Sequence, residues 1–222
     1  MFSMISEKSL EINISENILR ELRRLGPLFS KVFVYGFTLR EEFERGLDIS
    51  INLNPNRSFL LAIQYKKPIS EWQGTYRFYI NNNSTRDQHI KLFRASLIAP
   101  NKIYYIFPAI ITTQQLYNIS PNFLTHCYFI RPMDIPLLDN HVHTVEIDTQ
   151  NEIALAFSGK IEVKPLKWKE IKEFLVREER ITIEDLQKKL KDFTFGLFKE
   201  EYEIEEETIK RRTLSIRHGF FV

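Results

Sequence analysis

The sequence predicts an α/β protein with a mixed central sheet flanked by helices and a helical C-terminal extension. Short apolar runs of strand length alternate with segments that repeat apolar residues at helical spacing. Helical segments lie before and between the predicted strands, which favours a sheet covered on both faces. A length of 222 residues with 43% hydrophobic residues suits one elaborated domain or a core with a small appendage. We place the core at residues 1–163 and the extension at residues 164–222.

The first predicted helix spans Glu16–Leu25. Ser15 is a suitable N-cap, apolar residues follow at spacings of three and four, and Gly26-Pro27 ends the pattern. A strand over Lys31–Phe37 follows. These segments would place one helix before the sheet begins.

Two longer apolar runs, Leu47–Leu53 and Ser58–Lys66, predict a hairpin. The connecting residues 54–57, Asn-Pro-Asn-Arg, have turn chemistry. Both runs are almost continuously apolar, as expected of central strands covered on both faces. A shorter extended piece is predicted over Thr75–Ile80.

The second half of the core contains a helix, two strands and a further hairpin. The helix begins at Thr85 or Asp87 and stops at Pro100. The two strands and the hairpin are predicted at Ile103–Ile111, Cys127–Arg131, Val142–Ile147 and Ile153–Phe157.

Two helices are predicted in the extension. Trp168 begins an amphipathic pattern, and Thr182 begins a sequence that resembles a capping box. These helices either complete the core or a dimer interface, or form a small attachment that binds nucleic acid or a partner through a basic face near Lys188. The acidic run at residues 200–207 argues against DNA binding by the whole tail, because it would repel phosphate.

Bulk composition excludes several classes of protein. Lys+Arg total 31 against Asp+Glu 29, so nucleic-acid affinity would require a local basic patch. The single cysteine, Cys127, cannot form an intramolecular disulfide or a cysteine-based zinc site, and its apolar surroundings predict a buried, inert thiol. The chain shows neither a signal peptide nor an apolar stretch of about 20 residues, which predicts a cytoplasmic protein without membrane association. Few glycines with many Lys, Glu and Ile residues suit a thermophile.

Three polar residues are predicted to meet where the central strands begin and end. Asp48 begins one strand, and Gln64 and Lys66 lie two apart at the end of the next, so their side chains share a face. Oxygen atoms from Asp48, Gln64, Glu42 and the Tyr65 carbonyl could fill three or four positions around one Mg²⁺, which also retains waters. The Lys66 ammonium could orient a water or stabilise charge on a phosphate.

The residues that carry a family resemblance are Glu42…Gly46-x-Asp48, Gln64-x-Lys66 and Gln88-His89. This series resembles the PD-(D/E)xK nuclease superfamily over residues 15–135, most strongly over residues 38–68. The resemblance implies a restriction-endonuclease-like core of a helix, three strands, a helix and two strands. It implies that Asp48 is the metal-binding acid and Lys66 the catalytic lysine. Gln64 stands where the family usually has Asp or Glu, and this difference removes one negative charge from the site.

The resemblance implies a nuclease that requires Mg²⁺ or Mn²⁺ and acts on DNA as an endonuclease, with two copies pairing as a homodimer. The expected catalytic residues are Asp48, Gln64, Lys66 and Glu42, and the expected metal ligands are Asp48, Gln64, Tyr65 and Glu42. The expected nucleic-acid contacts are Lys67, Arg77, Arg86, Gln88 and His89. Two alternatives remain open. One is a non-cleaving module of the same fold that binds nucleic acid or a protein partner, and the other is a purely structural interaction protein.

Several individual assignments also have alternatives. Glu16 or Glu21 on the first helix could replace Glu42, because many members of the superfamily place an acid there. His89 could instead be a surface or helix-packing residue, which is the commoner role of a histidine on a helix. His141-x-His143 has metal-like spacing, but no third ligand lies nearby in the sequence, so we do not assign a zinc site.

Overall fold

A computed structural model describes residues 4–38, 42, 46–53, 58–81, 88–136, 141–156, 161–177, 181–182 and 188. The chain divides into two compact units, residues 1–183 and 184–222. Every described residue except Lys188 belongs to the first unit. Within the described part of the chain, no helix combines the length and apolar character needed to cross a bilayer.

The described elements are four α-helices and eleven strands. The helices are α1 (Glu7–Arg23), α2 (Gln88–Ile98), α3 (Thr113–Ile119) and α4 (Trp168–Arg177). The strands are β1 (Phe33–Gly36), β2 (Ile49–Asn52), β3 (Ser58–Tyr65), β4 (Pro68–Trp72), β5 (Thr75–Asn81), β6 (Ile103–Pro108), β7 (Cys127–Ile130), β8 (Val142–Asp148), β9 (Ile153–Ala156), β10 (Ile161–Val163) and β11 (Ile181–Thr182).

The first sheet is mixed and has the order β1-β2-β3-β6-β7, with β11 also paired to β3. The pairs β1–β2 and β2–β3 are antiparallel, β6 runs parallel to β3, and β7 is antiparallel to β6. A parallel pair needs a crossover connection, and α2 lies in the segment between β3 and β6. The described residues of β2, β6 and β7 are all buried. This sheet is the mixed sheet with flanking helices that the sequence predicts.

The second sheet is entirely antiparallel, with the order β10-β9-β8-β5-β4. The sequence predicts β8 and β9 as a hairpin, but it does not predict β4 or a separate sheet. The missed β4–β5 hairpin turns at Gln73-Gly74, where φ is +49° and +82°. Residues with positive φ favour a two-residue turn whose twist matches the flanking strands. One face of β5 is buried and the other exposed, in contrast to the central strands of the first sheet.

Helix α1 begins nine residues earlier than the sequence predicts. Ser6, not Ser15, is the N-cap, and its side chain accepts a hydrogen bond from the Ser9 N–H. The buried stripe Leu10, Ile14, Ile18 and Leu22 continues at intervals of four residues and faces the core. Because the residues before Ser15 are largely polar, the sequence analysis missed the first two turns of this helix.

Helix α4 packs on the same core as α1. Trp168, Ile171 and Leu175 are buried in a cluster with residues from α1 and the first sheet. The second helix predicted in the extension lies outside the described residues, apart from Lys188. The predicted domain boundary at residue 163 thus lies before α4, a helix that contributes to the core. The existence of a separate helical extension over residues 164–222 stays a prediction.

Candidate functional site

The candidate site lies at the end of β3 beside the start of β2. The Asp48 N–H donates to the Ile63 carbonyl at 3.0 Å, so Asp48 stands next to the last residues of β3. Gln64 and Lys66 project to one face by strand alternation. Tyr65 points to the opposite face, where its hydroxyl is 2.9 Å from the Ser15 hydroxyl of α1. The antiparallel register therefore brings Asp48, Gln64 and Lys66 to one place.

The Asp48 carboxylate accepts two hydrogen bonds at one oxygen. Oδ2 accepts from the Tyr65 backbone N–H at 2.7 Å and from Gln64 Nε2 at 2.8 Å. Burial raises the pKa of Asp48 to about 7, although these two hydrogen bonds and the charge of Lys66 act in the opposite direction. A carboxyl with this pKa changes its charge near neutral pH.

Two glutamines connect Lys66 to Asp48. Lys66 Nζ donates to Gln88 Oε1 at 2.7 Å, Gln88 Nε2 donates to Gln64 Oε1 at 2.8 Å, and Gln64 Nε2 donates to Asp48 Oδ2. An ammonium only donates, so the Gln88 oxygen must face Lys66, and this fixes the orientation of Gln88 and, through its Nε2, that of Gln64. We call this chain of four residues the amide relay. Gln88, predicted as a nucleic-acid contact, is in this structure a member of the relay.

Gln64 Nε2 lies where two oxygens converge. It is 2.8 Å from Asp48 Oδ2 and 3.1 Å from the Tyr65 carbonyl oxygen. Carboxylate and carbonyl oxygens are the donors that Mg²⁺ prefers. Gln64 itself presents nitrogen there, so it would offer an oxygen only if its amide turned over. Among the described residues, no three His, Cys, Asp or Glu side chains are grouped closely enough to hold a metal ion.

Lys66 is half-buried beside this convergence point. Its Nζ is 5.5 Å from the centroid of the Tyr105 ring. Burial lowers the pKa of its ammonium, and the negative charges of Asp48 and Glu7 oppose this effect.

Carboxylates from α1 and from Glu42 surround the same region. Burial raises the pKa of Glu42, and the charges of Glu11 and Glu7 raise it further. Lys8 forms an ion pair with Glu11 at 2.7 Å and is also within electrostatic range of Glu42 and Asp48. No hydrogen bond joins the Glu42 side chain to Asp48 within the described part of the chain. Glu42 is therefore near the site without belonging to the relay.

The structure does not bring the two alternative helix acids to this region. Glu21 hydrogen-bonds Lys172 and Arg24, and Glu16 is exposed and 3.9 Å from Arg20. The acid of α1 that does act on Asp48 and Lys66 is Glu7, and Glu11 acts on Glu42 and Tyr65; the sequence analysis missed both. A helix start at Ser6, signalled by Ser6-Glu7, would have identified them.

The predicted nucleic-acid contacts occupy different environments. Lys67 follows Lys66 and is half-buried, whereas Arg77 lies on the exposed face of β5 in an ion pair with Glu146. Arg86 lies outside the described residues.

His89 is buried and its ring is fully engaged inside the protein. Burial lowers the pKa of His89 to about 4, so the ring is neutral at pH 7. Nε2 lies 3.0 Å from the Ile135 carbonyl and must donate to it, so Nδ1 accepts from the Tyr105 hydroxyl at 3.1 Å. Neither ring nitrogen is left for a phosphate. We therefore remove His89 from the nucleic-acid contacts and regard it as a packing residue of α2.

Comparisons of this chain with protein-family models, with curated proteins and with solved structures found no match. The geometry of the site therefore carries the functional argument.

Proposed function

We propose that this protein is a Mg²⁺-dependent nuclease with a restriction-endonuclease-like core, and that it acts on DNA as an endonuclease. The observation that carries the proposal is the convergence of Asp48 Oδ2 and the Tyr65 carbonyl on one point, with Lys66 joined to it through the amide relay. The Asp48 carboxylate and the Tyr65 carbonyl can hold a divalent cation, and the Lys66 ammonium can attract a phosphate next to it.

The order of elements supports this proposal. α1 precedes the three antiparallel strands β1, β2 and β3, and α2 precedes β6 and β7, with β6 parallel to β3. This is the order that the PD-(D/E)xK resemblance implies. The β4–β5 hairpin is an insertion between β3 and α2.

The residues present fit a Mg²⁺ ion, except that Gln64 presents its amide nitrogen, and not an oxygen, to the position of the ion. Asp48 and the Tyr65 carbonyl would hold the ion, and Glu42, Glu7 or Glu11 would add negative charge to its surroundings. When bound, Mg²⁺ acidifies a water and neutralises charge on the scissile phosphate. Mn²⁺ has the same preference for oxygen donors and would serve as well.

Lys66 would stabilise the transition state for hydrolysis. Its half-buried ammonium is pre-positioned by Gln88, and a fixed charge of this kind loses little energy to solvent reorganisation. Lys67 and Arg77 would contact backbone phosphates and add affinity that depends on salt concentration. Pairing of two copies would present one site to each strand, which is the reason to propose a cytoplasmic homodimer acting on duplex DNA.

Lys66→Ala is the first test of this function. We expect plasmid and single-stranded DNA to be cut in the presence of Mg²⁺ or Mn²⁺, and Lys66→Ala to reduce the rate by about 100-fold or more. The exposed Lys31 provides the matched control, since Lys31→Ala removes the same charge away from the site. Equal cleavage by the wild type and by Lys66→Ala would remove Lys66 from the mechanism.

A second candidate function is a non-cleaving module of the same fold that binds nucleic acid or a protein partner. It is favoured by one observation, namely that the Gln64 amide nitrogen occupies the point where the two oxygens converge. A fixed N–H group carries partial positive charge and can satisfy Asp48 without a metal ion.

Gln64→Glu separates the two candidates. If the site is a degraded nuclease, the new carboxylate supplies the missing ligand, and we expect Mg²⁺-dependent nicking to appear where the wild type shows none. If the wild type already cuts, Gln64→Glu should increase its Mg²⁺ affinity. A variant that remains folded, binds no Mg²⁺ by calorimetry and cuts no DNA would contradict both expectations.

A further inference from the structure

A separate cavity of about 590 Å³ lies on the part of the first unit where α1, α4 and the segment before β7 meet. Its lining includes Asn17 of α1, Arg24 directly after that helix, Pro121 and Thr125 of that segment, and Trp168 of α4. Glu7, which acts on Asp48 and Lys66 of the candidate nuclease site, lies in the first turn of α1, whereas the α1 residues of the cavity belong to the second half of that helix. The two sites are therefore distinct.

The lining of the cavity is strongly cationic. Five basic and two acidic side chains line it, a net charge of +3. They are Arg20, Arg24, Lys167, Lys169 and Lys172, with Glu21 and Glu152. A concave surface with this excess of positive charge attracts anions, because its walls focus the field.

Internal ion pairs leave part of this charge uncompensated. Glu21 is shared between Lys172 at 3.3 Å and Arg24 at 2.8 Å, and Glu152 pairs with Lys167 at 3.0 Å. Arg20 lies 3.9 Å from Glu16 outside the cavity and donates to the Pro121 carbonyl at 2.9 Å. Lys169 is exposed and has no ion pair within the described part of the chain.

Two buried donors at the cavity also lack partners. The indole Nε1 of Trp168 and the Nε of Arg20 are buried and have no hydrogen-bond partner among the described residues. Trp168 itself is only 6% exposed. A buried donor without an acceptor costs about 1–3 kcal/mol. A ligand that brings acceptor oxygens would recover this energy once a small movement of these side chains exposes the two atoms to the cavity, because both are inaccessible in this conformation.

The start of α4 adds a further preference for negative charge. Lys167, Trp168 and Lys169 all line the cavity, and α4 begins at Trp168. The first N–H groups of a helix have no intrahelical acceptors and carry the positive end of the helix dipole. The Glu170 carboxylate lies in this first turn and accepts from the Lys167 N–H at 2.8 Å, so it offsets part of the preference, and the cationic walls and unsatisfied donors supply the rest.

We propose that this cavity is a binding site for a phosphate-bearing ligand of nucleotide size. A volume of about 590 Å³ falls within the usual range of roughly 300–1,000 Å³ for small-ligand sites. The phosphate is held by Arg20, Lys169 and the first turn of α4. It belongs either to a free nucleotide or to the 5′ end of a nucleic acid, since both present the same group.

The site can be tested by titration without divalent cations, so that the candidate nuclease centre stays metal-free. The chain has two tryptophans, so Trp72→Phe leaves Trp168 as the only one and its fluorescence reports on the cavity. The probes are AMP, and a DNA 12-mer with either a 5′-phosphate or a 5′-hydroxyl. We expect saturable quenching by AMP or by the 5′-phosphorylated 12-mer, and the tighter of the two identifies the source of the phosphate.

Lys169→Glu is the informative variant, because it reverses a charge on an exposed residue in the first turn of a helix, where a carboxylate is compatible with folding. It should weaken binding by about tenfold, whereas Lys31→Glu, the same change on an exposed residue outside the cavity, should not. Binding of neither probe at millimolar concentration, or equal weakening by both variants, would overturn the proposal. Cleavage of closed circular plasmid DNA, which has no 5′ end for the cavity to bind, should be equal for Lys169→Glu and the wild type, so this site and the nuclease proposal can fail independently.

Discussion

Asp48→Asn should stabilise the metal-free protein at alkaline pH. The Asp48 carboxylate is held where burial penalises its charge, and its pKa is raised from 3.8 to about 7. Lys66 is connected to it only through two amides, and this distance limits the compensation that the ammonium provides. A neutral side chain of the same shape avoids the penalty.

The magnitude follows from the shift in pKa. A folded-state pKa above the unfolded value means that the folded protein binds the proton more tightly, so stability from this group is complete below about pH 4 and is lost as the pH rises through about 7. A shift of about three units at roughly 1.4 kcal/mol per unit sets an upper limit of about 4 kcal/mol. The Asn amide nitrogen needs an acceptor that the carboxylate did not need, which reduces the gain. We expect Asp48→Asn to raise the free energy of unfolding at pH 8 by about 1–3 kcal/mol, and each kcal/mol to raise the Tm by roughly 2–4 °C.

Thermal unfolding of wild type and variant in EDTA between pH 4 and pH 8.5 measures this effect. The wild-type Tm should fall more steeply than that of Asp48→Asn between pH 5 and pH 8, and the two curves should approach each other at low pH. Asp148→Asn is the matched control, because hydrogen bonds with Asn151 lower the pKa of this exposed carboxyl instead of raising it. Parallel curves for wild type and Asp48→Asn, or a variant less stable than wild type at pH 8, would refute the reasoning. Adding Mg²⁺ at pH 8 should stabilise the wild type and leave Asp48→Asn unchanged.

Two further substitutions test how the site is supported. Gly46→Ala should destabilise the protein by about 1–3 kcal/mol in chemical denaturation, because φ is +73° and a Cβ would lie 3.1 Å from the Gln88 carbonyl oxygen. Gly36→Ala is its control, since φ there is not positive and no atom lies within 4 Å of the added Cβ; an equal loss in both variants would contradict the explanation. Ser15→Ala and Tyr65→Phe should each cost about 1–2 kcal/mol, and the double variant little more, because both remove one buried hydrogen bond. Fully additive losses in that cycle would show that the two hydroxyls do not interact.

The helix boundary at α1 shows why local signals can mislead. Ser15 followed by Glu16 has the chemistry of an N-cap, and residues 6–15 are largely polar. In the fold, Ser15 lies mid-helix and is buried against Tyr65, a partner 50 residues away. The sequence shows which residues can cap a helix, but the choice between Ser6 and Ser15 depends on which face the sheet covers.

The second sheet shows a different limit. Alternating burial along β5 is a pattern that the sequence contains, yet its partners β4 and β8 are respectively adjacent in the chain and about 65 residues away. Which edge a half-buried strand joins is decided by packing, so the sequence predicted the strand without predicting its sheet.

The sequence by itself determined β2 and β3, with Gln64 in β3 and with Asp48 and Lys66 directly beside the strand ends, because continuous apolar runs and strand alternation are local properties. It also identified Cys127 as a buried thiol, and burial indeed raises its pKa. Only the tertiary structure decided the direction of the amide relay, the acids contributed by α1 and the burial of His89. Each of these depends on atoms from separate helices and strands that meet in the folded chain. The direction of a hydrogen bond and the loss of solvent around a side chain are set by such neighbours, and the spacing of residues in the sequence does not specify them.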